Sequence, residues 1–60
     1  MKIRLHGTKA EVEITANLLR QYAEEQDAFE IVEESRDYQD RPGRDGAPSK
    51  LFRRYLDIRL

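Results

Sequence analysis

The chain has 60 residues, 11 of them basic and 12 acidic, for a formal charge of −1, and hydrophobic and charged side chains each make up 38%. That length holds a single small domain, residues 1–60, and domains near this size bury only about 60% of the surface their unfolded chain exposes. With no cysteine and a single histidine, the composition excludes disulfides, thiol chemistry and the usual zinc sites.

The opening Met1-Lys2-Ile3-Arg4-Leu5-His6 alternates apolar and polar residues, the period of a strand with one buried face. Met1, Ile3 and Leu5 are expected to face the core and Lys2, Arg4 and His6 to face away, with Gly7 ending the strand. Thr8-Lys9-Ala10-Glu11 reads as a capping box, in which the hydroxyl and the carboxylate each accept the other residue's backbone N–H. The helix it opens should run to about Glu25. Val12, Thr15, Ala16, Leu19, Tyr22 and Ala23 share its apolar face, and Ile14 and Leu18 lie on the flank.

Phe29 to about Tyr38 reads as a second strand, with Phe29 and Ile31 inward and Glu30, Val32, Glu34, Arg36 and Tyr38 on the opposite face. The Pro- and Gly-containing stretch Asp40 to Pro48 is a turn region. Leu51 to Leu60 reads as the last strand. Phe52, Leu56, Ile58 and Leu60 point inward, while Arg53, Tyr55, Asp57 and Arg59 point out, and Arg54 falls on the inward face, where a long side chain near a strand end reaches water.

This order predicts an α+β fold, β-α-β-β, with one helix on one face of a three-stranded sheet. A parallel crossover would place the first strand beside the second. The favoured antiparallel sheet of order 1-3-2 resembles half of a ferredoxin-like domain. Either leaves one sheet face open, and the favoured order leaves the first strand as an unpaired edge, a template for another chain. With a small core and no disulfide or metal, oligomerisation is the remaining route to stability, so a homodimer is expected. It would join first strands into a six-stranded sheet or bury Ile14, Leu18 and Tyr22.

Charge is segregated along the chain. Lys2, Arg4 and Lys9 make residues 1–10 +3, ten acids against Arg20 and Arg36 make residues 11–40 −8, and six bases against Asp45 and Asp57 make residues 41–60 +4. On the open face Lys2, Arg4 and His6 would stand beside Arg53, Tyr55 and Arg59, with Arg36 and Tyr38 on the outer strand. Cations around exposed rings are how single-stranded nucleic acid is held. One hairpin register gives the same residues a purely structural use, with Glu34 opposite Arg59, Arg36 opposite Asp57 and Tyr38 opposite Tyr55. In the turn region, Arg41, Arg44 and the N–H groups of Gly43 and Gly46 form a candidate anion site. The acidic stretch Glu24, Glu25, Asp27, Glu30, Glu33 and Glu34 fits no calcium-loop spacing. No nucleophile, metal-ligand or cofactor motif is present, so no enzymatic activity and no cofactor are expected.

The opening residues 1–12, the run Phe29-Glu30-Ile31-Val32-Glu33-Glu34-Ser35 with its following tyrosine and Asp-Arg, and the closing Arg54-Tyr55-Leu56-Asp57-Ile58-Arg59-Leu60 together resemble the small YvzF-like proteins of bacteria and their phages. That family's middle motif reads serine, variable, proline, tyrosine, proline, asparagine, arginine, glycine; here Ser35-Arg36-Asp37-Tyr38-Gln39-Asp40-Arg41 lacks both prolines. The resemblance implies one compact domain of bacterial or phage origin, supplies no catalytic residue and singles out Tyr38 and Arg41. The expected function is that of an interaction or regulatory module with an unspecified protein partner, working in the cytoplasm, since no signal-peptide layout or membrane-length apolar run is seen. The alternative is nucleic-acid binding through Lys2, Arg4, Arg53, Tyr55 and Arg59.

Overall fold

The computed structural model describes residues 1 to 60. Its elements are β1 (Lys2–Thr8), the helix α1 (Lys9–Gln26), β2 (Glu30–Glu34), β3 (Tyr38–Gln39) and β4 (Leu51–Arg59). The fold is α+β, with one helix packed on one face of an antiparallel sheet.

α1 starts where its capping box lies. The Thr8 hydroxyl accepts the Glu11 N–H at 3.2 Å, and the Glu11 carboxylate accepts the Thr8 N–H at 2.9 Å. These bonds satisfy groups that a helix end leaves without partners. β1 continues through Gly7 to Thr8 rather than stopping at the glycine. The missing side chain serves the cap: a Cβ on Gly7 would lie 3.0 Å from Glu11 Oε1 and 3.4 Å from Glu11 Cβ. At the far end, Asp27 takes a left-handed conformation, φ 49°, and stops the helix.

The expected three-stranded sheet is not what forms. The sheet has four strands, in the order β1-β4-β2, with β3 also paired to β4. β4 is central: β1 lines one side from Lys2↔Asp57 to Thr8↔Leu51, and β2 and β3 share the other. The segment read as one strand from Phe29 to Tyr38 is therefore two. Its ladder shifts register at Val32, between Ile31↔Ile58 and Glu33↔Asp57. That shift puts Glu34 opposite Leu56, on the helix side of the sheet. Asp37 reaches the same side, bonding to Arg54. Residues three apart cannot both face one side of a regular strand, whose side chains alternate with period two, so the strand must break between them. Ser35 bridges the gap: its N–H donates to the Tyr55 carbonyl at 2.9 Å, and its Oγ accepts the Tyr55 N–H at 2.9 Å.

The shift also replaces the expected cross-strand pairs. Arg59 lies opposite Glu30, Asp57 opposite Glu33, and Tyr38 opposite Arg53.

The core is small. Val12, Ala16 and Ala23 of α1 and Leu56 and Ile58 of β4 are its buried apolar residues. Leu56 and Val12 are the largest fully buried side chains, each contributing about 1.5–3 kcal/mol by removal from water. Met1 and Leu60, expected to be inward, are exposed, Leu60 at 89%. Tyr22 is exposed too, meeting only the edge of the core through Phe29, with ring centroids 6.4 Å apart. Ile14 and Leu18 lie exposed on the helix flank.

Candidate functional site

The open face is built by the outward residues of β1, β4 and β3. Antiparallel pairing sets Lys2 beside Asp57, Arg4 beside Tyr55, and His6 beside Arg53, with Tyr38 on Arg53's other side. Tyr38 and Tyr55 meet edge to face, with centroids 6.1 Å apart, and the Arg36 guanidinium lies 4.7 Å from the centre of the Tyr38 ring. Both arrangements are favourable for a ring with a negative face and a positive rim.

Three of the six basic side chains of this face already have a carboxylate. His6 Nε2 lies 2.7 Å from Asp40 Oδ2. Arg53 Nε approaches the other oxygen, Oδ1, at 3.2 Å, out of line for a hydrogen bond, so charge alone holds that buried N–H. Arg59 donates to Glu30 at 3.0 Å. Lys2, Arg4 and Arg36 have no carboxylate at ion-pair distance. Of the candidate residues, Lys2, Arg4, Arg53, Tyr55 and Tyr38 thus share one surface, while Arg59 stands at its far end.

The candidate anion site does not assemble. The Gly43 N–H donates to the Ala47 carbonyl at 3.2 Å and the Gly46 N–H to the Gly43 carbonyl at 2.9 Å. The loop's own turn, closed by Gly46 at φ 78° and by Asp45 accepting the Ala47 N–H, consumes the donors an anion would need. Arg41 and Arg44 are exposed on this loop. The acidic stretch is dispersed as well: Glu25 accepts from Gln21, Glu30 from Arg59, and Glu34 from Arg20 and Arg54.

Beneath the sheet lies a cluster centred on Arg54, the residue expected near a strand end within reach of water. Arg54 is in the middle of β4 and only 8% exposed. Its Nε and Nη2 donate to the two oxygens of Asp37 at 2.6 and 3.1 Å, Nη1 donates to Glu34 at 2.8 Å, and Nη2 also donates to Glu13 at 2.6 Å. Arg20 extends the cluster, bonding Glu34 and Asn17 at 2.6 Å each. Asp37 and Glu13 hold the Arg54 guanidinium well above its ordinary pKa, and Arg54 in turn holds Asp37 below the usual carboxylate range. The cluster ties helix, β2, the broken segment and β4 together, and both of its guanidiniums are paired within it. Its one signal in the sequence was a cation on an otherwise apolar inward face.

The edge of β1 differs from the opposite edge. Tyr55 exchanges its backbone bonds with Ser35, on the far side of β4. Its neighbour Arg4 therefore turns its own N–H and C=O away from β4, and by the alternation of an antiparallel ladder so do Lys2 and His6. β1 is seven residues long without bulge or proline. The β2/β3 edge is bulged at Val32 and interrupted after Glu34, the devices that blunt an edge against pairing.

No protein-family model, curated protein or solved structure gives a significant match to this chain. No helix is long and apolar enough to cross a membrane.

Proposed function

We propose that this protein is a small non-enzymatic interaction and regulatory module that self-associates through the β1 edge of its sheet, in a bacterial or phage cytoplasm. The observation that carries this reading is the asymmetry of the edges: β1 is regular and presents unpaired backbone groups, whereas β2/β3 is blunted. A core of five buried apolar residues adds to it, because joining a second sheet supplies stability that so small a core lacks. Sedimentation equilibrium over a concentration series tests it. Wild-type protein should dimerise, and Arg4→Pro, which removes an outward N–H while leaving the ladder to β4 intact, should abolish the dimer. A chain that stays monomeric at millimolar concentration would end the self-association reading.

A second reading has its own observation. Arg4 stands beside Tyr55 with no carboxylate against it, as a phosphate contact next to a stacking ring would. Lys2, Arg4 and Arg36 have no carboxylate partner on this face, so single-stranded nucleic acid should bind with a log–log salt slope of about −2.1 at most, at about −0.7 per contact. Affinity unchanged by Arg53→Glu or Arg4→Glu would remove this reading.

A further inference from the structure

The β1 edge, taken as the binding element proposed above, carries a charge pattern that bears on its occupant. The backbone groups turned outward belong to Lys2, Arg4 and His6, and their side chains all stand on the open face. A second β1 that satisfies all of these groups pairs antiparallel about Arg4. Arg4 then faces its own counterpart, and Lys2 faces the second copy's His6. Residues directly opposite in such a ladder are close neighbours, and like charges there oppose pairing. β1 contains no acidic residue to offset this. Asp40, the carboxylate nearest to His6, is already shared with Arg53.

A second copy's β2 would bring acids, Glu30 and Glu33, but its register shift at Val32 and its end at Glu34 prevent a regular ladder. On its helix side the edge borders a groove lined by Leu5, Val12 and Thr15. Glu11 is also there, its carboxylate turned to the Thr8 N–H.

We propose that the β1 edge is built for an extended segment of another protein in which acidic and apolar residues alternate. The added strand places carboxylates opposite Lys2, Arg4 and His6 and an apolar side chain in the groove over Leu5. Main-chain bonds supply the affinity and the alternation supplies the selectivity, the usual division in strand addition. Such a segment displaces a second copy because it exchanges the opposition of Arg4 to its own counterpart for cation–carboxylate neighbours at Lys2 and Arg4.

The test uses the full chain and two capped, fluorescent heptapeptides, Thr-Glu-Val-Glu-Val-Glu-Thr and the same sequence with lysine for glutamate. Binding is followed by anisotropy at low salt, with helix content checked by circular dichroism. The glutamate peptide should bind at least about tenfold more tightly than the lysine peptide, as expected of cross-strand charge pairs at Lys2 and Arg4. Arg4→Pro should abolish its binding, and Arg4→Glu, which keeps the edge, should erase most of the preference. Equal binding of both peptides, lost in Arg4→Pro, would overturn the acidic specificity and leave the edge reading standing. Absence of binding by either peptide, with an edge-dependent dimer still seen in sedimentation, would do the same. Glutamate-peptide binding that survives Arg4→Pro would overturn both. An oligonucleotide that displaces the peptide and binds wild type and Arg4→Pro equally would replace this occupant with nucleic acid.

Discussion

Arg54 shows how much one side chain organises in a chain with few buried residues. Its planar fork meets both oxygens of Asp37 and reaches Glu34 and Glu13 on two other elements. A lysine keeps the charge but offers a single point where the fork had several directions. Arg54→Lys should therefore cost about 1–3 kcal/mol in urea unfolding. Arg54→Met, which leaves three carboxylates facing one another, should cost about 3 kcal/mol or more. The same cluster sets an acid dependence. Asp37 and Glu11 are held below their ordinary values of 3.8 and 4.5, Asp37 by Arg54 and Glu11 by the Thr8 backbone N–H. Groups depressed in the folded state give stability that is complete above the unfolded pKa and lost as pH falls through the folded one. Stability should thus begin to drop below about pH 4.5 and keep falling under 3.8. Asp37→Asn should shallow that fall, seen as a smaller difference in urea midpoint between about pH 7 and about pH 3.

At the scale of elements, the helix ends are the adjustable parts. Thr8→Ala removes the hydroxyl that accepts the Glu11 N–H and should destabilise by about 1 kcal/mol. Gly7→Ala should weaken the same cap indirectly, because the new methyl displaces the Glu11 carboxylate from the Thr8 N–H. The other end carries a removable cost. Asp27 is a non-glycine residue in a left-handed conformation, and it puts a negative charge at the negative end of the helix dipole. Asp27→Gly relieves both, and a gain of about 1 kcal/mol is expected, read as a rise in Tm of roughly 4–8 °C for a domain this small. β2 and β3 answer to a different demand. Their break lets Glu34 and Asp37 reach one guanidinium, and Ser35 keeps the ladder closed across it.

At the scale of the whole molecule, the body is thin, 45 by 18 by 12 Å, one helix on one sheet with the far face open. Self-association through β1 makes stability depend on protein concentration. Tm should rise with concentration in wild type and not in Arg4→Pro. Salt separates the two occupants of the edge. Screening relieves the opposition of Arg4 to its counterpart, so self-association should strengthen as salt rises, whereas binding of an acidic segment should weaken. Opposite slopes measured on one preparation would tie both events to Lys2, Arg4 and His6.

Much of the local structure was legible in the residues themselves. The capping box and the spacing of Val12, Ala16 and Ala23 marked the helix and its buried face, and alternation in residues 1–6 marked β1, because these patterns record interactions between near neighbours. Alternation also set Tyr38, Tyr55, Arg53 and the β1 cations on one surface. The division of the second strand was not legible, nor was the turning of Glu34 toward the helix. Both depend on one extra residue at Val32, chosen so that acids from β2 and the broken segment converge on an arginine some twenty positions away. The sequence by itself determined the helix, its cap, the strand character of its flanks and the basic face of β1. Only the tertiary structure decided which charges are spent and which are free, since an ion pair between distant residues is settled by register, and register is a property of paired strands.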